Sequence, residues 1–400
     1  MTSHIEFTRL VHRAAAVAGF AAAFAALPSA ASAQSLFGSR GLGVVVAPAD
    51  GRAAALGGLG VALPGPSSAL LNPADVGDAN RRGVILAIQP STTELETGEG
   101  SDNVSATRFP LVQLLLPIGN RTVVSAGYGA FLDQNWGVTT SGLAPLGDDT
   151  VTTIDRISSR GGIAQGRFGA AFEVTDDLTL GAAIGLLTGS STRTALRAFV
   201  DDDIGLSPFQ TEVKSTFNAP LAAAGLRYRI GSSVLVGAGV TWIGDLTASE
   251  NDGNGETETE ISMPLQVAAG ASAALLDDLL VVVNTRWTGW SATEDLENST
   301  ADDVIELGGG VEWSGITTAR RTFPVRLGAR WGGQPFSFEG EAPSESAFVF
   351  GLGGRLAGSE EVPAALVDLA IERGSRGDVD KNGIGKTFWR ATISVSLFSQ

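Results

Sequence analysis

The strongest constraint on this chain is a period-two alternation of apolar and polar residues, repeated in segments of about ten residues. In 279–290, Leu279, Val281, Val283 and Trp287 share one face, while Asn284, Arg286 and Thr288 share the other. In 322–332, Phe323, Val325, Leu327, Ala329 and Trp331 oppose Arg326 and Arg330. In 386–398, Trp389, Ala391, Ile393, Val395 and Leu397 oppose Arg390, Thr392, Ser394 and Ser396. The pattern predicts about fourteen strands, near 82–90, 108–117, 120–132, 162–174, 178–192, 214–229, 233–246, 260–275, 279–290, 304–315, 321–332, 345–356, 364–373 and 386–398. The connections alternate in length. Pro117-Ile118-Gly119-Asn120, Thr175-Asp176-Asp177, Gly231-Ser232-Ser233 and Leu276-Asp277-Asp278 are short. The segments 91–107, 133–161, 193–213, 247–259, 291–303, 333–344 and 374–385 are long. An even strand number, tight turns at one end, long loops at the other and arginines between large apolar residues predict an all-β chain. Its expected form is a transmembrane antiparallel β-barrel with a polar lumen.

The beginning of the chain reads as an export address. Arg9 and Arg13 precede an apolar run from Ala14 to Leu27, and Ala31-Ser32-Ala33 forms a small-residue cleavage site, so 1–33 is read as a signal peptide. The only two histidines, His4 and His12, lie inside it, and the chain has no cysteine. The exported protein therefore lacks the residues for Ser-His or Cys-His catalysis and for His- or Cys-bound metal. No enzyme activity, cofactor or metal is expected. Removal of the address leaves a net charge of about −17, which argues against nucleic acid as a partner. The long connections carry about two dozen acidic residues and about six basic ones, so the charge gathers at one end. Trp136, Trp242, Trp287, Trp290, Trp331 and Trp389 fall near the long-loop ends of strands and Trp313 near a short-turn end, the placement of an aromatic girdle.

Residues 34–81 lack the alternation of a spanning strand and are rich in Ala, Gly and Pro. Arg52-Ala53-Ala54, Gly57-Gly58-Leu59-Gly60-Val61-Ala62, Ser68-Ala69 and Asn72-Pro73-Ala74 resemble the N-terminal hatch of the FadL-type long-chain fatty-acid and hydrocarbon transporter family. The leader is also similar to that of the related PorV/PorQ outer-membrane proteins. The resemblance implies a hatch over 34–81 inside a barrel over 82–400, with Arg52, Gly57, Gly58, Gly60, Ser68, Asn72, Pro73 and Ala74 as hatch residues. A wide barrel encloses more volume than its own side chains fill, so a plug is physically reasonable. Asn72 can fix a turn, Pro73 restricts φ and Ala74 permits close contact with the wall. The last strand ends Leu397-Phe398-Ser399-Gln400, similar to the terminal assembly signal of outer-membrane barrels.

Function follows as an expectation: a channel in the outer membrane of a Gram-negative-type bacterium for passive uptake of hydrophobic small molecules such as long-chain fatty acids. The alternative is a PorV-like binding barrel serving protein secretion or surface attachment. Leu187, Leu235, Val349 and Phe388 have inward parity and are candidate pocket residues. Gly127 and Gly129 mark a candidate lateral opening in the third strand, where the FadL-type resemblance implies a wall defect. Arg167, Arg286, Arg326, Arg330 and Arg390 form either a lumen ion-pair network or a head-group clamp. Expected partners are the hydrophobic solutes, outer-membrane lipids and lipopolysaccharide, the barrel-assembly machinery and, under the alternative, a secretion partner. Asp378-Val379-Asp380-Lys381-Asn382-Gly383 opens like an EF-hand loop, but Trp389 occupies the position that needs a bidentate Glu.

Overall fold

The computed structural model describes residues 36–399 except 66, 99, 147–148, 201–206, 254, 294–295, 297–299, 319–320 and 359–362. The address at 1–33 lies outside the described residues. Fourteen antiparallel strands close into one barrel. They are β1 (Gly83–Thr97), β2 (Gly100–Ile118), β3 (Thr122–Asp133, resuming at Trp136–Leu146), β4 (Asp149–Glu173), β5 (Leu178–Phe199), β6 (Phe209–Ile230) and β7 (Val234–Ile243, resuming at Leu246–Asn251). They continue with β8 (Glu256–Ile261 and Gln266–Leu276), β9 (Leu279–Thr288), β10 (Val304–Trp313), β11 (Val325–Gly333), β12 (Ser344–Gly358), β13 (Pro363–Arg376) and β14 (Ile384–Phe398). Each strand pairs with its sequence neighbours, and β1 pairs with β14 from Gly83–Phe398 to Thr97–Ile384, which seals the ring.

The alternation sorts side chains as expected. On β9, Asn284, Arg286 and Thr288 are buried in the lumen while Val283 is 63% exposed. Leu114, Phe168, Ile184, Leu327 and Phe348 likewise point outward and are exposed. So many large apolar groups on the outside of one ring require hydrocarbon as their solvent. The protein is an outer-membrane barrel. No helix among the described residues is long and apolar enough to cross a membrane, so the strands do the spanning. The tight turns bend at glycines with positive φ, such as Gly119 (67°) and Gly231 (61°).

Two sequence expectations need correction. Much of the long connections is strand, not loop. The pairing of β1 with β2 runs to Thr97–Gly100, and β3 pairs with β4 to Leu146–Asp149. Their Thr- and Ser-rich sequences suit a pleated surface with water on both faces. The wall is consequently uneven: β4 has 25 residues and β5 and β6 have 22 each, whereas β9 and β10 have 10. Two tryptophans also leave the girdle. Trp136 and Trp290 are 7% and 1% exposed, while Trp242, Trp331 and Trp389 are about half exposed. Trp290 begins a 3-10 turn after β9, stacks on Phe131 (6.4 Å) and meets Phe336 edge-to-face (5.6 Å). Trp136 follows the break at Gln134-Asn135, which interrupts the strand and resets its alternation. The segment 378–383, set aside as an EF-hand in the sequence, forms a capped turn. The Asp378 side chain accepts from Asp380 N, and Gly383 closes the turn at φ 66°.

Candidate functional site

The segment before β1 packs against inward faces around the ring. Its short α-helix, Gly51–Ala55, starts at Asp50, whose carboxylate accepts from Ala53 N, Ser68 N and the Ser67 hydroxyl. Gly51 N donates to Ser394 Oγ on β14 (2.9 Å). Arg52 meets Glu312 on β10 in two hydrogen bonds of 2.7 and 2.8 Å, and donates a third to the Pro64 carbonyl. Arg326 bridges Glu312 (2.6 Å) and Asp368 (2.7 Å), so two cations face two carboxylates.

Past Arg52 the backbone itself touches the wall. Gly57 has φ 97° and lies on Gly308 and Gly309 of β10, where a Cβ on either Gly57 or Gly308 would come within 3.0 Å of the other's backbone. Ala55 meets Gly328 and Gly351 in the same way. Gly58 lies beside Arg330, and Gly60 fits between Ala53 and Ala69. Opposite, Ser272 Oγ donates to Ala62 O (2.8 Å). Asn72 caps the 3-10 turn Pro73–Asp78, accepting from Ala74 N (3.0 Å) and donating to Leu226 O on β6 (3.1 Å). Asn72 needs Gly225 and Gly239 beneath it, and Ala74 needs Gly181. The lumen glycines let two backbones approach with no side chain between them. They explain part of the 52 glycines, and inward parity is the signal that could have found them.

Burial perturbs two carboxyls of this segment. It pushes Asp50 up to about 6 and Asp75 up to about 7. Asp75 accepts from Asn72 Nδ2 and Ala62 N, and Arg227 pairs with the neighbouring Asp78.

The wall between β2 and β3 is incomplete. Their pairing runs from Ile118–Thr122 only to Leu111–Gly129. Beyond that level β3 turns the same edge to the N-terminal segment. Val44 pairs with Asp133, Val45 with Leu132, and Val46 N donates to Phe131 O (2.9 Å). Arg108 on β2 reaches across to Asp133 on β3 as an ion pair. Gly129 is thus the last paired residue below the seam. Gly127 and Gly129 are themselves filled over, by Leu70 and Pro48.

The other proposed residues are distributed differently. Leu187, Leu235 and Val349 fall in three separate apolar clusters, and Phe388 packs under Gly374 and Arg390, so the four do not line one pocket. Arg286 pairs with Glu306, Arg330 with Glu345 and Glu372, and Arg390 with Glu372. Arg167 has no ion pair among the described residues. It donates to Leu70 O (2.6 Å) and Gln165 Oε1 (2.8 Å), holding the segment's backbone. Arg108, Glu345, Arg376 and Lys386 belong to the same lumen lining; Arg108, Glu345 and Lys386 are the outermost residues of the strands expected at 108–117, 345–356 and 386–398, and Arg376 lies beyond the strand expected at 364–373. A cavity of about 60 Å³ remains beside Arg108, Glu345 and Arg376, lined also by Val45, Val46 and Leu59. No cluster of three or more metal-binding side chains exists among the described residues.

Comparison with known proteins follows this geometry. The Pseudomonas aeruginosa FadL homologue superposes with a TM-score of 0.61 at 16% identity, covering 88% of this chain and 98% of that one. The Ralstonia pickettii toluene transporter TbuX gives 0.56 at 19% identity, with 88% and 98% covered. The P. putida toluene transporter TodX gives 0.55 at 14% identity, with 90% and 99% covered. At these low identities the superpositions establish a shared fold, the FadL-type barrel the leader implied. No curated protein matches the sequence. A family model described as BamG matches residues 11–400. On that near-complete match, the chain belongs to the BamG family.

Proposed function

We propose that the protein is a plugged outer-membrane channel that passes hydrophobic small molecules without energy input. The observation that carries the reading is the seam between β2 and β3. A closed barrel has no need of a break in its pairing, and here the chain's own Val44–Val46 fills it. Two short pairings and the Arg108–Asp133 bridge hold less than a full strand ladder does. Displacing them would connect the lumen sideways to the bilayer, so a greasy solute need not cross water. The seam adjoins the cavity between Val45, Val46 and Arg108. In this reading 34–81 is the plug and 82–400 the barrel. The names of the structural neighbours, toluene transporters among them, support hydrophobic solutes as a class, and long-chain fatty acids are proposed within it. Lipids and lipopolysaccharide are the proposed surroundings of the outward apolar band.

The absence of native cysteine makes a clean test. Val45→Cys with Leu132→Cys places two thiols on a register pair whose spacing suits a disulfide. Uptake of radiolabelled oleate and toluene would be followed in an outer-membrane strain without its own transporter. The protein should raise uptake, oxidation of the double variant should abolish the rise, and reductant should restore it. Uptake that ignores the cross-link would remove the seam as the route.

A second reading is a scaffold for other proteins, with the barrel-assembly machinery or a secretion partner as the partner class. It is favoured by membership of the BamG family and by the upper part of β3, Trp136–Leu146, which among the described residues pairs with β4 alone. A surface-exposed barrel that gives no uptake but retains a partner through purification would select it.

A further inference from the structure

The outward faces of β4, β5 and β6 change character in layers. Counted from Val174 at the short turn, an apolar band about 25 Å tall takes about ten residues of a tilted strand. It ends at the register row Ala164–Thr188–Asn218. Within the band, Phe168, Ile184 and Leu226 are 59%, 68% and 42% exposed. The next outward row is Gly162–Ser190–Thr216, and the one above it is Arg160–Thr192–Lys214. That last row stands about 10 Å beyond the band along the membrane normal. Arg156 follows four residues further along β4.

The face of these cations is fixed by parity. Every buried residue described on β4 and β6 is odd-numbered, and both strands pair with β5 without a register shift. Arg156, Arg160 and Lys214 are even-numbered and exposed, so they stand on the side of the wall that faces lipid. Among the described residues, Glu212 is the single carboxylate on this face of the three strands. The row continues through Asn251 on β7 to Glu256 on β8, where the charge changes sign. On the opposite face of β5 the cations are already engaged. Arg197 is gripped by Asp155 in hydrogen bonds of 2.7 and 2.8 Å, and Arg193 lies over the Trp136 ring. Arg156 and Lys214 enter no ion pair among the described residues. A chain of net charge −16 with acidic long loops thus keeps a positive surplus on the outside of its wall, at the height of the outer head groups. An anionic membrane surface is the charge that complements it.

We propose that this face is a docking surface for the phosphorylated sugar head of lipopolysaccharide in the outer leaflet. Arg160 and Lys214, about 10 Å apart at the backbone, close on one phosphate from the two sides of Thr192. Arg156 meets a second anionic group farther out. The hydroxyls of Ser190, Thr192 and Thr216 face the sugar, and the acyl chains lie on Ile184 and Phe168. The inference narrows the proposed lipopolysaccharide surroundings to one side of the barrel. It rests on the outer-membrane placement and not on the channel reading.

The test incubates the purified full-length barrel, in an uncharged detergent, with deep-rough lipopolysaccharide and counts retained lipid by native mass spectrometry. The same lipopolysaccharide after phosphatase treatment, and phosphatidylglycerol, are the comparison lipids. Each cation near an anionic surface is worth about fivefold, so Arg160→Gln with Lys214→Gln should lower retention by about tenfold or more. Phosphatase treatment should do the same to the native protein. Arg193→Gln with Arg197→Gln removes as many charges from the inward face of β5 and should change retention by less than about twofold. Arg156→Gln with Lys214→Gln replaces the first pair if that variant does not close, as read by heat-modifiable gel mobility. Retention that ignores the outward substitutions or the phosphates overturns the site, as does an equal loss from the inward pair. Phosphatidylglycerol retained as well as lipopolysaccharide, and competing with it, overturns the glycolipid assignment in favour of any anionic lipid. Uptake is a separate readout, so failure of the channel reading leaves these outcomes unchanged.

Discussion

Cutting the Arg52–Glu312 pair should loosen the N-terminal segment by an amount that its burial fixes. Both side chains are only 12% and 11% exposed, and Glu312 also holds Arg326. Removing one partner of such a buried pair costs about 3–5 kcal/mol, because the charge left behind has lost both water and its counter-ion. With about 1.4 kcal/mol per tenfold, the opening equilibrium of the segment should rise by about a hundredfold to a few thousandfold. Glu312→Met leaves Arg52 with one carbonyl acceptor, Pro64 O. Arg52→Met leaves that carbonyl without its donor, which adds roughly 1 kcal/mol. The double variant Arg52→Met, Glu312→Met keeps Arg326 on Asp368 and removes both orphaned charges. It should return to within about tenfold of the native protein, since apolar replacement of a buried pair is near neutral. Amide hydrogen exchange of the peptide spanning 51–63, followed by mass spectrometry in detergent, reads this opening directly. The electrostatic account is wrong if each single variant shifts exchange by less than about threefold, or if the double variant is worse than either single one.

Other consequences are equally measurable. Gly308→Val places a branched side chain where the Gly57 backbone lies. It should expel that turn and raise single-channel conductance in planar bilayers, whereas Gly166→Val, which meets nothing within 4 Å, should not. The raised Asp75 carboxyl stays protonated in the packed segment up to about pH 7, while a released segment gives up that proton in the ordinary carboxylate range. The packed state therefore binds more protons between about pH 4 and 7, and its stability falls as pH rises through that window, then levels off. Exchange of 61–79, corrected for its intrinsic pH dependence, should accelerate by up to about tenfold per pH unit across it. Asp75→Asn should flatten that slope, leaving the smaller share due to Asp50, and an unchanged slope would refute the assignment. Trp290→Ala removes a ring buried between Phe131 and Phe336. It should destabilise the long-loop end by about 3–5 kcal/mol, seen as faster exchange in 290–293 and 336–338 with little change at the short-turn end.

The barrel was legible in the sequence because alternation is a local signal. A residue's face follows from its neighbour's, so Arg286, Arg326 and Arg330 could be placed in the lumen with no knowledge of what they meet. Strand ends were less legible. Beyond the bilayer both faces meet water, the alternation loses its apolar half, and β3 to β6 continue unseen through Thr- and Ser-rich sequence. Arg108, Glu345 and Lys386 stand at the first residue of an expected strand and Arg376 beyond the end of one, where too little alternation remains to assign a face. Trp136 and Trp290 were misplaced for a related reason. A break in one strand and a turn after another reverse the parity on which their placement relied.

Within the N-terminal segment, the Asn-Pro-Ala turn and the glycine run were visible as local chemistry, since a cap, a fixed φ and a positive φ involve only near neighbours. Their wall partners were not visible. Arg52 meets a residue 260 positions away, and Asn72 one 154 positions away. Leu187, Leu235, Val349 and Phe388 show the same limit, because inward parity does not say which inward residues share a cavity. The sequence by itself determined a closed membrane barrel, its strand number and the sorting of residues to lipid or lumen, all consequences of a two-residue period and a low-dielectric surround. Only the tertiary structure decided which glycines receive the segment's backbone, where β2 parts from β3, and which arginines keep a carboxylate. Those outcomes depend on the stagger and curvature that bring distant strands together, and no local pattern encodes them.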